Sequence, residues 1–159
     1  METDIKKIIE KEIAIRLIYN PKVLQNSEPI TKIVKILSSS KHTRIDIVTA
    51  PNTIKYNRNW WVNIHKEIYI RPISTNIKLS LLEVINLPLA PKKHYFKSSN
   101  ELIAFTLVFP ALPKDVRMFD IIESNLPDTK TSSWLNFYGV SLESQYAYQN
   151  TSLYAFEIN

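Results

Sequence analysis

The chain has 159 residues, of which 45% are hydrophobic, and no cysteine. This is enough for one domain with a buried core, and it excludes disulfide frameworks, cysteine zinc sites and thiol nucleophiles. The 20 Lys and Arg residues outnumber the 15 Asp and Glu residues, for a formal charge of +5. Because the lysines are spread along the chain, we expect a solvated surface on a single domain over residues 1–159, and no nucleic-acid partner.

The N-terminal segment mixes charged and apolar residues, and it lacks the uninterrupted apolar run of a secretory signal. No later stretch is long enough to span a membrane. Thr3 can cap a helix that aligns Ile5, Ile8 and Ile9, so we expect a short N-terminal helix or arm over residues 1–11. The missing signal favours the cytoplasm, although a processed envelope protein would give the same sequence.

Most of the remaining chain has the composition of β-strands, with β-branched and aromatic residues at a period of two. The segment "WWVNIHKEIYI" (60–70) predicts one half-buried antiparallel strand. Its core face would carry Trp60, Val62, Ile64, Ile68 and Ile70. The segment "IKLSLLEVI" (77–85) is more continuously apolar and predicts a strand near the centre of a sheet. The segment "YAYQNTSLYAFEI" (146–158) predicts a hairpin.

Turn signals separate these segments and predict an all-β antiparallel fold of roughly eight to ten strands. Gly139 is the only glycine. Its position inside a strand pattern predicts a β-bulge or a close approach of another chain segment. Left-handed turn positions must then fall mainly to asparagines such as Asn20.

The sequence has few candidates for catalytic or metal chemistry. His65 and Glu67 lie two residues apart on a predicted strand and would project from the same face, but no metal-binding spacing such as HExxH occurs. The single glycine leaves no Gly-rich phosphate loop, and no GxSxG elbow is present. A pair of catalytic carboxylates would leave no motif, yet nothing in the sequence indicates one. We therefore expect no enzymatic activity, no metal and no other cofactor.

Aromatic residues are better candidates for a binding surface. Trp60 and Trp61 are adjacent on a predicted strand, so one would fill the core while the other is exposed or covered by a loop. Trp134 and Tyr138 share one face of a later strand. Core packing is the first interpretation of such rings, whereas an exposed ring would anchor a partner.

The segment "PLAPKKHYF" (88–96) combines two prolines with two lysines, a histidine and two aromatic rings. The prolines predict a rigid, extended connection between strands. The basic residues give it a second interpretation as a docking site. Together with the aromatic residues above, the candidate binding residues are Trp60, Trp61, Lys92, Lys93, His94, Tyr95, Trp134 and Tyr138.

The motifs "NLPLAPKKHYF", "FPALPKDV" followed by "DIIE", and "NFYGV" occur in this order. The series resembles an uncharacterised β-sandwich domain that is widespread in Bacteroidota proteins, alone or ahead of modules such as thioredoxin-like domains. The likeness runs from about Tyr19 to Leu142. It implies an Ig-like fold, with no assigned activity or catalytic residues to carry over, and relatives with signal peptides would be envelope proteins. The run from Asp120 to Glu123 looks like scaffold.

The sequence thus predicts an antiparallel Ig-like β-sandwich that acts as a non-catalytic protein-interaction or accessory module. Its partner would be an unidentified protein, or a second copy of the chain paired through an edge strand. The alternative is a small-ligand or glycan-binding domain in which exposed aromatic residues stack on the ligand.

Overall fold

The computed structural model of the protein describes residues 16–51, 60–127 and 134–143, and each regular element in these ranges is a β-strand. The expected N-terminal helix or arm (1–11) and the expected hairpin (146–158) lie outside the described residues. Within the described ranges, no helix is long and apolar enough to cross a membrane. The prediction of an all-β chain is confirmed for these residues.

The described residues form twelve strands, more than the sequence predicted. In chain order they are β1 (Arg16–Tyr19), β2 (Val23–Asn26), β3 (Lys32–Ser38), β4 (His42–Thr49), β5 (Trp61–Val62), β6 (Tyr69–Pro72), β7 (Leu79–Ser80), β8 (Glu83–Ile85), β9 (His94–Tyr95), β10 (Ile103–Pro110), β11 (Met118–Ile122) and β12 (Asn136–Ser141). Two segments that were predicted as single strands each divide into two. In addition, β2 lies in a stretch for which no strand was predicted, and β9 lies within residues 88–96, which were predicted only as a connection between strands.

The strands form two five-stranded sheets and one short ribbon. The first sheet has the order β1-β3-β4-β10-β8, the second has the order β2-β12-β11-β6-β7, and β5 pairs with β9. All of these strand pairs are antiparallel, as predicted.

Both five-stranded sheets contribute to one hydrophobic core. Ile45 and Leu107 come from the first sheet, Phe119 and Phe137 come from the second, and none of the four is more than 1% exposed. Burying a side chain of this size stabilises a fold by about 1.5–3 kcal/mol. The core is therefore what holds the two sheets together.

Residues 60–70 do not form the single strand that was predicted. β5 belongs to the ribbon and β6 to the second sheet, and between them the amide of Ile68 donates to the carbonyl of His65 at 3.1 Å in a turn. The predicted core face is nevertheless right, since Ile64, Ile68 and Ile70 are buried. The apolar residues before the turn and those after it are buried on the same side because both segments pack against the same core.

Residues 77–85 do not lie at the centre of a sheet, as was predicted. They contain β7 and β8, which are edge strands of different sheets. The amide of Leu81 donates at 3.1 Å to the carbonyl of Ile68, directly before β6 of the second sheet. The amide of Leu82 donates at 2.8 Å to the carbonyl of Val108 in β10 of the first sheet. Leu79, Leu81 and Val84 pack against the core. The other apolar side chains of the segment are at least 40% exposed, so the continuous apolar run does not mark a strand that is buried on both faces: Ile77, Leu82 and Ile85.

Gly139 lies at a β-bulge, as its place in the strand pattern predicted. The pairing of β11 with β12 shifts register between Phe119 and Ile121, opposite Gly139, whose φ is +66°. Asn20 and Asn86 also have positive φ, at 47° and 69°. Asparagine tolerates this conformation better than most residues, so it takes the role that glycine has in other chains.

Candidate binding surface

The β5–β9 ribbon gathers most of the candidate binding residues. Trp61 pairs with Tyr95, and Val62 pairs with His94. Since side chains alternate along a strand, Trp61 and Tyr95 share one face of the ribbon and Val62 and His94 share the other. We call these the outer face and the inner face.

The inner face attaches the ribbon to the domain. Val62 and Trp60 pack against the hydrophobic core, and Phe96 is itself a core residue at 4% exposure. The amide of Phe96 donates to the carbonyl of Trp60 at 3.0 Å, and the Phe96 ring meets the His94 ring edge-on at 5.7 Å. Trp60 is thus the member of the tryptophan pair that packs against the core.

The outer face presents aromatic surface together with positive charge. The Lys93 ammonium lies 4.4 Å from the centroid of the Trp61 ring, a cation–π distance. Tyr95, beside Trp61 on the other strand, is 53% exposed. The outer face therefore offers an apolar surface with a cation held in a defined position.

The connection ahead of β9 is fixed by hydrogen bonds. The amide of Ile64 donates to Pro88 at 3.1 Å, and the amide of Ala90 donates to Ile64 at 2.8 Å. The side-chain amide of Asn63 donates to the carbonyl of Lys92 at 2.8 Å. These bonds support the predicted rigidity of residues 88–96 and leave the Lys92 side chain exposed.

The His94 side chain is hydrogen-bonded to another residue of the domain. Its Nε2 lies 2.7 Å from Oε1 of Glu101, and the amide of Lys97 donates to the other oxygen of that carboxylate at 2.9 Å. The pKa of Glu101 is lowered first by the Lys97 amide and then by His94. Both carboxylate oxygens therefore serve to hold the chain on either side of Phe96.

Trp134 and Tyr138 contact residues outside the β5–β9 ribbon. The Trp134 ring contacts the His65 ring, with centroids 5.0 Å apart and a tilt of 57°. Tyr138 is half-buried on β12 and pairs with Gln25 of β2. The ribbon thus brings together Trp61, Lys93 and Tyr95, whereas Tyr138 lies on β12 of the second sheet and Trp134 precedes that strand.

The Glu123 carboxylate binds backbone amides. Oε1 accepts from Leu135 at 2.7 Å, and Oε2 accepts from His65 at 3.0 Å. Burial raises the pKa of Glu123 despite these bonds. Across the described ranges, no cluster of three or more His, Cys, Asp and Glu residues could hold a metal ion. The geometry fits the scaffold role predicted for this motif.

An open groove of about 340 Å³ lies beside the start of β11, with Pro72, Ile73, Ile77, Val116 and Met118 among its lining residues. Sequence reasoning missed it, because it forms between loops that are distant along the chain. The Arg16 guanidinium contacts the carbonyls of Val116 and Pro113 and fixes one wall. The lining also includes Thr75, Asp115 and Arg117, and this mixture of apolar, polar and oppositely charged residues carries no signal for a particular ligand.

Comparisons of the chain with protein-family models, with curated proteins and with solved structures gave no match. The resemblance to the Bacteroidota domain therefore stays a prediction. A function for the chain has to be argued from the geometry of the ribbon and from the chemistry of its exposed side chains.

Proposed function

We propose that the chain is a non-catalytic protein-interaction or accessory module that contacts its partner through the outer face of the ribbon. The observation that carries this proposal is the cross-strand pair of Trp61 and Tyr95, with Lys93 placed over the indole ring. Trp and Tyr are enriched in interface hot spots because their large rings bury much area with little loss of side-chain freedom.

The attachment of the ribbon favours binding. Its inner face packs on the core, and the connection before β9 is hydrogen-bonded to residues 63 and 64. A surface that is ordered before it meets a partner loses little conformational entropy on binding. The outer face is therefore suited to rigid docking.

We also propose that the two five-stranded sheets form an Ig-like β-sandwich of the kind implied by the Bacteroidota resemblance. Their antiparallel pairing and shared core support this assignment. The carboxylates of Asp120 and Glu123 support the non-catalytic role, since both accept hydrogen bonds from backbone amides.

The second candidate function is glycan or small-ligand binding, and the exposed ring of Tyr95 beside Trp61 favours it. A sugar that stacks on the outer face would have to displace Lys93 from the side of the Trp61 ring that it covers. A sugar that stacks on Tyr95 alone avoids this displacement but leaves the covered side of the Trp61 ring unused. A protein partner has side chains enough to contact the ammonium and the Tyr95 ring together. The geometry therefore favours the protein partner.

Pull-down from cells of the source organism, followed by mass spectrometry, tests the proposal. The bait proteins are the wild type, Trp61→Ala, Tyr95→Ala and the control Tyr19→Ala. Tyr19 matches Tyr95 in exposure, at 54%, but lies on β1. We expect proteins captured by the wild type and by Tyr19→Ala to be lost with both ribbon variants.

Identical protein lists for all four baits would refute the ribbon as the docking surface. A glycan array probed with the same variants tests the second candidate, and binding that depends on Tyr95 would favour it. Size-exclusion chromatography of the wild type shows whether a second copy of the chain is the partner.

A further inference from the structure

We infer that the outer face recognises an acidic, extended segment of its partner that carries Asp or Glu two positions from an aromatic residue. This inference rests on the proposed binding role of the ribbon, and it adds the chemistry of the partner. The acidic side chain would meet Lys93, and the aromatic side chain would meet Tyr95.

The charge of the ribbon is one-sided. Residues 60–63 and 91–100 include three lysines, Lys92, Lys93 and Lys97, and no Asp or Glu. All three lysines are exposed. Glu101 follows directly, but both of its oxygens are occupied, by His94 and by the Lys97 amide. The partner that complements such a surface is acidic.

Lys93 is available to a carboxylate from outside the domain. Its ammonium is placed by the Trp61 ring, and no described carboxylate lies within ion-pair distance of it. Lys35, by contrast, is paired with Asp46 at 3.5 Å. A carboxylate of the partner can therefore bind the Lys93 ammonium without breaking an internal ion pair, while the indole keeps the ammonium in position.

The spacing of the ribbon residues sets the spacing expected in the partner. Lys93 and Tyr95 are two residues apart, which corresponds to about 6.6 Å in an extended chain. An extended peptide repeats this distance between side chains at positions i and i+2, and these side chains project to the same side. An acidic residue and an aromatic residue with one residue between them would match Lys93 and Tyr95 in either chain direction.

Selection from a phage-displayed library of random peptides tests the inference. The library is panned on the wild type, on Trp61→Ala, on Lys93→Glu and on Lys114→Glu. Lys114 is an exposed lysine between β10 and β11, so Lys114→Glu makes the same charge change outside the ribbon. Circular dichroism and thermal melting establish that each variant is folded before panning.

We expect the wild type and Lys114→Glu to enrich peptides with Asp or Glu two positions from an aromatic residue. A synthetic peptide of the enriched sequence should bind Lys93→Glu about tenfold more weakly than it binds the wild type, because two like charges then meet. Its affinity for the wild type should also fall as salt is raised.

The possible failures are distinguishable. If Trp61→Ala enriches the same peptides as the wild type, the ribbon is not the site, and both the inference and the proposed function are wrong. If Trp61→Ala loses these peptides but Lys93→Glu keeps them, the ribbon binds and the acidic recognition is wrong. A wild type that enriches no peptide, or only peptides without Asp and Glu, also overturns the inference.

Discussion

Asp120 accepts the amide hydrogen of Gly139 through Oδ1 at 2.8 Å, at the point where β11 and β12 change register. A bulge leaves a backbone group without its partner in the ladder, and a buried amide needs an acceptor. The carboxylate supplies that acceptor, and its Oδ2 accepts from Arg71 of the neighbouring strand at 3.2 Å. Asp120 thus links three strands of the second sheet around the bulge.

Replacing Asp120 should separate these two roles. Asp120→Ala leaves the buried Gly139 amide without an acceptor, and we expect a loss of about 1–3 kcal/mol in the free energy of unfolding. Asp120→Asn keeps an oxygen for Gly139 but replaces the acceptor of Arg71 with an NH2 group, which only donates. Because the contact with Arg71 is only partly buried, this variant should be less destabilising than Asp120→Ala. Urea denaturation of both variants measures the difference, and an Asn variant less stable than the Ala variant would contradict the assignment.

Gly139 should not tolerate a side chain. A Cβ at this residue would lie 2.6 Å from Cδ1 and 2.9 Å from Cβ of Leu24, and a left-handed conformation disfavours any β-carbon by about 1–2 kcal/mol. We expect Gly139→Ala to lose at least this much stability in urea denaturation, and Gly139→Val to lose more, because a branched side chain adds further contacts.

Leu24→Ala provides the control for Gly139, because Leu24 is 72% exposed and its truncation alone should have little effect. In the double variant, removal of Cγ and Cδ1 relieves part of the clash. The loss caused by Gly139→Ala should therefore be smaller in the Leu24→Ala background, although the left-handed strain remains. Equal losses in both backgrounds would show that contact with Leu24 plays no part.

The period-two pattern predicted which face of a strand is buried. Ile45 and Ile47 of β4 face the core. Leu135, directly before β12, and Phe137, in β12, also face the core. This information is local, because the direction of a side chain depends only on its position in an extended chain. The bulge at Gly139 was predictable from a different local signal, a glycine inside a strand pattern.

The neighbours of each strand could not be predicted in this way. Residues 77–85 are as apolar as a central strand, yet they lie at two sheet edges, because strand position depends on the partners that the rest of the chain supplies. The ribbon of β5 and β9 depends on a contact between segments about thirty residues apart. The sequence identified Trp61 and Tyr95 as candidate binding residues, but it did not predict that they pair across two strands.

Glu123 should give stability a distinctive dependence on pH. Burial raises the pKa of its carboxyl above the ordinary value of 4.5, so the folded protein holds this proton to a higher pH than the unfolded chain does. The stability that Glu123 contributes is therefore full below the ordinary pKa and falls as pH rises towards the raised value.

Glu123→Gln tests this dependence, because glutamine does not titrate. At low pH the hydroxyl oxygen of the protonated carboxyl can still accept, whereas the NH2 group of glutamine only donates. Glutamine therefore serves only one of the amides of His65 and Leu135, and the variant should lose about 1–3 kcal/mol at low pH. The gap between wild type and variant in the free energy of unfolding should narrow as pH rises above the ordinary carboxyl pKa of 4.5. Urea denaturation at several pH values measures the gap, and a gap that widens with pH would show that the pKa is lowered instead.

Glu101 should give the opposite slope. Its pKa is lowered by the Lys97 amide and by His94, so the unfolded chain binds this proton more readily than the folded protein does. The stabilising effect of Glu101 is then present above its ordinary pKa and is lost as pH falls through the lower value of the folded state. In urea denaturation, the wild type should exceed Glu101→Gln in stability at neutral pH, and this advantage should shrink in acid. An advantage that is constant across the titration, or that grows in acid, would mean that the carboxylate is not held by these two donors.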